Sequence, residues 1–266
     1  MGFTGSREVA ATTFLWGLKR SGNHLLANWL YANHGATARD VLDSDGLHPQ
    51  LQAGFRDVRA DVAFFNNCGW LHSRGFGLGD LDRGDFQVAM RRQTTTIFGI
   101  EDCDLAFVPK TPHGPGIVNV LLLRDPLNNL ASRLKAAKTR PEIFRVDEAY
   151  IDLYETFCAE GLGRSHHLVR KTVVNYNNFI DDRAYRDSVA AELGLRNVDV
   201  MSEATDFGGG SSFSDAGRPS AASLKTRFRQ HRVPDHLVEM LLSREAIRVA
   251  CETIFGYDLA ALSEGA

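Results

Sequence analysis

Eight residues between two apolar stretches, Gly17-Leu18-Lys19-Arg20-Ser21-Gly22-Asn23-His24, carry the densest chemical signal in this 266-residue chain. Before them, Thr12-Thr13-Phe14-Leu15-Trp16-Gly17 has the composition of a buried strand, and after them Leu25, Leu26, Trp29 and Leu30 recur at helical spacing. A strand-loop-helix junction gathers backbone N–H groups and the positive end of a helix dipole on one spot, which suits phosphate or another anion. The two glycines keep the G-x-x-x-x-G spacing of a P-loop. Asn23-His24, however, stand where Lys-Ser/Thr would follow, and the lysine lies inside the loop as Lys19. Without the hydroxyl that ligates magnesium beside a triphosphate, the loop fits a donor whose transferred group is neutralised by protein cations, here Lys19 and Arg20. The plainer alternative is a strand-turn-helix junction with incidental basic residues.

A second cluster, Arg124-Asp125-Pro126-Leu127-Asn128-Asn129-Leu130-Ala131-Ser132, follows the most apolar run of the chain, Ile117-Val118-Asn119-Val120-Leu121-Leu122-Leu123. Arg124 is expected at the carboxyl edge of that strand, where a guanidinium can grip a phosphate through two parallel hydrogen bonds. Asp125 suits a helix N-cap and Pro126 the first helical position, and Ser132 falls two turns on, facing the same side. The competing reading is a capped helix whose arginine merely pairs with a neighbouring carboxylate.

Taken together, the two motifs resemble the sulfotransferase family. That family's 5′-phosphosulfate loop runs strand, Lys-x-Gly-Thr-like turn, helix, and its 3′-phosphate motif runs apolar strand, Arg-[Asp/Asn]-Pro, then Ala-x-Ser or a close relative. Val173-Val174-Asn175-Tyr176-Asn177-Asn178-Phe179 is similar to a later strand of the family, and the resemblance spans about residues 12 to 255. It implies 3′-phosphoadenosine 5′-phosphosulfate (PAPS) as co-substrate and no metal. Lys19, Arg20, Ser21, Gly22, Asn23 and His24 would hold the phosphosulfate, Arg124 and Ser132 the 3′-phosphate, and Tyr176 would lie on the adenine side. A late glycine-bearing segment, 208–213, with Ser211, Ser212 and the following Arg227, is similar to the one that closes over the nucleotide. Many members place threonine after the loop glycine, so Asn23-His24 is a departure, although both side chains can still donate hydrogen bonds.

Sulfuryl transfer to a hydroxyl or amine needs a proton acceptor near Lys19. Glu101 and Asp102 end the β-branched run Thr94-Thr95-Thr96-Ile97-Phe98-Gly99-Ile100, where the resemblance puts a catalytic histidine or glutamate; His113, in Lys110-Thr111-Pro112-His113, is the third candidate. Glu101 is the favoured base. Solvated turn carboxylates are common, so a passive role for either acid stands beside this reading.

The elements that must position these residues alternate strand and helix. Helices are expected over 127–138, after the acidic start Asp181-Asp182 with Gly194 as its stop, and over 234–255 along the stripe Leu237, Met240, Leu241, Ile247; a strand is expected over 169–176. Such alternation with apolar strands predicts a three-layer α/β fold with a central parallel β-sheet and ligands beyond the carboxyl ends of the strands. One domain, 1–266, is expected, with residues 35–92 an insertion of loops and short helices that walls the acceptor site, and 208–223 a Gly/Ser-rich loop.

A formal net charge of -3 supplies no global field for nucleic acid or an anionic membrane. Cys68, Cys103, Cys158 and Cys251 are far apart with no CxxC pair, as expected in a reducing cytoplasm, and no run approaches the roughly 20 apolar residues of a spanning helix. The partner is therefore expected to be small: a small-molecule, carbohydrate or lipid acceptor, with oligomeric state open. Asp43-Ser44-Asp45 imitates a metal-binding DxD but is ordinary turn composition, and Gly75-Phe76-Gly77-Leu78-Gly79 lacks the strand and helix of a dinucleotide fingerprint. His72, His166 and His167 have no metal-ligand spacing, and Trp16 and Trp29 suit the core. Two rival functions keep the same fold: a P-loop kinase or nucleotidase, and a non-catalytic nucleotide-binding module.

Overall fold

The computed structural model describes residues 11–33, 55–59, 62–65, 95–107, 116–195, 197–198 and 233–257. Six strands form one sheet: β1 Ala11–Gly17, β2 Phe55–Arg59, β3 Val62–Phe65, β4 Thr95–Glu101, β5 Ile117–Leu123 and β6 Lys171–Asn175, in the spatial order β2-β3-β4-β1-β5-β6. The five strands from β3 to β6 run parallel, and β2 closes the edge antiparallel to β3. Seven described helices surround it: α1 Asn23–Asn33, α2 Pro126–Ala137, α3 Glu148–Gly161, α4 Tyr176–Asp181, α5 Arg183–Glu192, α6 Asp235–Ser243 and α7 Glu245–Thr253.

The central strands are apolar on both faces because both faces are covered. Phe14 and Trp16 of β1, Phe98 and Ile100 of β4, and Leu121 and Leu123 of β5 join one buried cluster with Leu127, Leu130, Tyr154, Phe157 and Ile247 of the helices on that side. Leu15, Ile97, Val120 and Leu122 point the other way, into a cluster with Leu26, Trp29, Leu30 and Phe179. The period of two along each strand thus divides one hydrophobic run between two cores. Trp16 and Trp29 are both fully buried, as their composition-based reading required.

The register decides what meets at the carboxyl edge. Gly17 lies opposite Glu101 of β4 on one side and Leu122 of β5 on the other, so the loop after β1, the turn after β4 and the arginine after β5 emerge side by side. β1 lies between β4 and β5, and the chain crosses from one side of β1 to the other between those two strands, the kind of topological switch that opens a crevice at strand ends.

Three features differ from the sequence expectation. Residues 35–92, expected as loops and short helices, contribute β2 and β3 to the sheet edge. Glu148–Gly161 forms a helix outside the expected elements, capped by Asp147 through the Tyr150 N–H. The single helix expected over 234–255 breaks at Arg244, whose ψ of 120° interrupts the α-helical backbone between α6 and α7. Elsewhere the turn chemistry behaves as expected, with Asp182 capping α5 and Gly194 at φ +69° ending it.

Candidate active site

The loop between β1 and α1 is built on two glycines that tolerate no side chain. A Cβ on Gly17 would lie 2.1 Å from Asn23 Oδ1, and one on Gly22, whose φ is +99°, would lie 2.1 Å from Cε2 of Tyr176. The Tyr176 ring thus packs against the loop at Gly22, held by the end of β6 and by Asn175, which caps α4 through the N–H groups of Asn177 and Asn178. Between the glycines, the Ser21 N–H donates to Leu18 O at 3.1 Å and Arg20 takes a left-handed φ of 71°. The chain then enters α1, whose first-turn N–H groups face the concavity by helix geometry.

The loop side chains separate into those turned inward and those facing the edge. Ser21 is buried, its hydroxyl accepting from Asn129 Nδ2 at 3.0 Å. Asn23 is also buried, and its Nδ2 donates both to Leu18 O at 3.1 Å and to Glu101 Oε1 at 2.7 Å, tying the candidate base to the loop. His24 is half-buried on the first turn of α1. The Lys19 N–H donates to Asp102 Oδ1 at 2.8 Å, and its ammonium stands 3.6 Å from Asp102 Oδ2 with about a quarter of the side chain exposed.

Arg20 joins the two halves of the site. Its Nε donates to Ser132 Oγ at 3.2 Å, while its carbonyl accepts from Arg124 Nη1 at 2.6 Å. Burial, reinforced by the neighbouring Arg124, pushes the Arg20 guanidinium below its ordinary pKa, with Glu101 and Tyr176 pulling the other way. Arg124 is 6% exposed; its guanidinium lies 5.0 Å from the Tyr176 ring centroid, and its Nε has no hydrogen-bond partner among the described residues. A buried guanidinium N–H left without an acceptor is costly, and an anionic ligand is the kind of group that relieves it.

Residues 17–24, Glu101, Asp102, Arg124, Ser132 and Tyr176 are therefore gathered at one edge. His113, Ser211, Ser212 and Arg227 lie outside the described residues. Among the described residues, four cations, Lys19, Arg20, Arg124 and Arg133, gather at this edge with three carboxylates, Glu101, Asp102 and Asp125. Asp125 is fully buried beneath them: its Oδ1 accepts from Leu127 N and Asn128 N, its Oδ2 from Asn128 Nδ2 and from the Tyr257 hydroxyl, which ties the segment after α7 to this corner.

Several contributors were missed by sequence reasoning. Asn129 and Arg133 share a face of α2 with Ser132, and the i, i+3, i+4 spacing after Arg-Asp-Pro was the signal available for them. Tyr150 and Tyr154, one turn apart on α3, reach Asn129 Oδ1 and the Arg124 carbonyl through their hydroxyls. Among the cysteines, burial pushes Cys103 up to about 11 and lifts Cys158 and Cys251 further, so none of these three is poised as a thiolate nucleophile. No group of three His, Cys, Asp or Glu gathers at metal-binding distance among the described residues, and no described helix is long and apolar enough to cross a membrane.

No protein-family model matches the sequence, and no curated protein matches it. Among solved structures, the chain is similar to the sulfotransferase domain from the Synechococcus PCC 7002 olefin synthase, with a TM-score of 0.50 and 15% sequence identity over 95% of this chain and 97% of that one. The α/β architecture is thus a sulfotransferase-type fold.

Proposed function

We propose that this chain is a sulfotransferase that moves a sulfuryl group from PAPS to a hydroxyl or amine of a small-molecule, carbohydrate or lipid acceptor. One observation carries the reading: the loop at 17–24 and the Arg124/Ser132 pair, far apart in sequence, join through Arg20, whose carbonyl accepts from Arg124 Nη1 at 2.6 Å and whose Nε donates to Ser132 Oγ at 3.2 Å. A donor with a 5′-phosphosulfate and a 3′-phosphate needs two anion grips within one cleft, and the overall fold is that of a sulfotransferase domain.

The residues fit such a donor. The side chains of 19–24 and the amino end of α1 from Gly22 onward would receive the phosphosulfate, the Lys19 and Ser21 N–H groups being donated within the fold, and Arg124, whose Nε has no partner among the described residues, and Ser132 would receive the 3′-phosphate. Tyr176, packed against Gly22 and beneath the Arg124 guanidinium, would border the adenine. PAPS supplies an activated sulfuryl group on a phosphate leaving group. Lys19 would set its ammonium against the charge that grows on the bridging oxygen, and Glu101, hydrogen-bonded by Asn23 Nδ2, would accept the acceptor's proton. The three described free thiols agree with a reducing, cytoplasmic setting.

The direct test is thermal stabilisation by 3′,5′-adenosine bisphosphate (PAP) against ATP with magnesium. A ligand that binds only the folded state adds roughly 2.7 kcal/mol at a hundred times its Kd. PAP should raise the melting temperature by several degrees and ATP by far less; a larger shift with ATP and magnesium would instead point to a kinase or nucleotidase.

A further inference from the structure

We propose that Asp102 and Arg133 form a positioning pair that fixes Lys19 and keeps its charge available to the donor, so that Asp102 acts through Lys19 and not as a proton acceptor. This rests on the donor reading above and adds to it a residue, Arg133, that neither sequence motif includes. Asp102 leaves the end of β4 at φ +52°, a conformation uncommon for a residue with a side chain, and its N–H donates to Gly17 O at 3.2 Å. That turn brings the carboxylate beneath the loop. Oδ1 accepts from the Lys19 N–H at 2.8 Å and from Arg133 Nη1 at 3.1 Å; Oδ2 accepts from Arg133 Nη2 at 2.8 Å. Both oxygens are thus engaged by a bidentate guanidinium on a residue only 5% exposed, so the carboxylate's acceptor positions are committed to Arg133 and the Lys19 N–H.

Beyond Asp102, Arg133 is held by a carbonyl and an aromatic ring, and the ring is itself anchored. Its Nε donates to Arg145 O at 2.9 Å, its guanidinium lies 4.5 Å from the Tyr150 ring centroid, and the Tyr150 hydroxyl donates to Asn129 Oδ1 at 3.0 Å. Asn129 then returns to the loop, donating from Nδ2 to Lys19 O at 3.2 Å and to Ser21 Oγ. Lys19 therefore has its N–H fixed from β4 and its carbonyl fixed from α2, which leaves its side chain as the part able to move.

The charges give the pair its purpose. Asp102 with Lys19 alone would be a closed ion pair, with the ammonium captured. Arg133 supplies the second cation, so the three residues keep a net charge of +1 and the longer contact, 3.6 Å, falls to Lys19. Among the described residues, the titratable groups facing the pair are Lys19 from the loop and Tyr150 from α3, with Glu101 and Cys103 its chain neighbours.

The test is a double-mutant cycle read by calorimetric titration with PAP. Arg133→Met should weaken PAP at least about 10-fold, because Asp102 then captures Lys19. The double variant Asp102→Asn/Arg133→Met should recover most of that loss, to within about 3-fold of wild type, because the capturing charge is gone. A residue that serves the fold alone predicts the opposite, a double variant as weak as Arg133→Met or weaker, and that result overturns the proposal. If Arg133→Met melts too early to titrate, Arg133→Lys replaces it: retention of most of the affinity is expected, and a 10-fold loss overturns the proposal. A wild type that fails to bind PAP overturns the donor reading and this inference together, whereas binding without recovery overturns this inference alone.

Discussion

Two inward-facing carboxylates stand at opposite edges of one sheet, and their surroundings contrast. Glu160, fully buried near the end of α3, accepts from Ser165 Oγ at 2.6 Å, His167 N at 2.9 Å, Leu168 N at 3.1 Å and the ammonium of Lys171, the first residue of β6. One anion meets one cation, and the donors around it are used up. At the carboxyl edge, Asp102 meets two cations, Lys19 and Arg133, and a buried Nε of Arg124 lacks an acceptor among the described residues. Burial of charge is common to both edges. What distinguishes the carboxyl edge from the structural knot, among the described residues, is the second cation on one carboxylate and the unused donor of Arg124.

That contrast is sharpest in activity. Lys19→Ala should lower transfer from PAPS by about 10²- to 10³-fold, the scale on which a transition-state donor is usually lost, while its melting temperature stays close to wild type. The measurement is PAP release from PAPS over a panel of phenols, alcohols and sugars; undiminished release would remove Lys19 from the chemistry. Arg124→Ala comes next, with a loss of about 2–4 kcal/mol in PAP binding, roughly 30- to 1000-fold, and a smaller change in acceptor KM. A variant that binds PAP as tightly as wild type would take the 3′-phosphate role away from Arg124.

At the opposite edge the same kind of truncation should act on stability alone. Lys171→Met leaves Glu160 buried without its cation, a change that costs about 3–5 kcal/mol in folded proteins and appears as a lowered melting temperature. PAP affinity, titrated below that temperature, should be unaltered. If it dropped with stability, the two edges would be coupled and the contrast between site and knot would dissolve.

The difference between local and non-local order also governs what the sequence made legible. β1 and β5 were found almost to the residue, because central parallel strands carry unbroken apolar runs, and α2 was placed by Asp125 and Pro126 at its start. The loop and Arg124 were legible for the same reason: each motif is contiguous. β2 and β3, five and four residues long at the sheet edge, have too few positions for a period to register. α3 was hidden because Glu, Asp and Tyr dilute its apolar stripe, although Tyr150, Ile151, Tyr154, Phe157 and Cys158 all turn inward. Arg244 breaks α6 from α7 with no proline or glycine to announce it, and its Nη2 contacts Asp152 of α3 at 2.6 Å. In the site, the partners of Asp102 escaped notice because Arg133 is 31 residues away, and Asn129 meets the Lys19 carbonyl across 110. Sequence proximity marks motifs, whereas these contacts exist only once the strand register has been set.

The smallest expected effect concerns acid. Burial pushes the Glu160 pKa up, but hydrogen bonds from Lys171, Ser165 and the N–H groups of His167 and Leu168 outweigh it and hold the carboxyl below its ordinary value of 4.5. A carboxylate depressed in the folded state contributes stability that is fully present above its unfolded pKa and is lost as pH falls through the folded one. Part of the wild-type decline in melting temperature below about pH 4.5 should therefore belong to Glu160. Glu160→Gln, which cannot ionise, should begin from a lower melting temperature at neutral pH and decline less steeply in that window, with PAP binding at pH 7 unaffected. Parallel melting curves for the two proteins through the acid range would show that this knot carries no proton linkage, and that its four donors stabilise charged and neutral carboxyl alike.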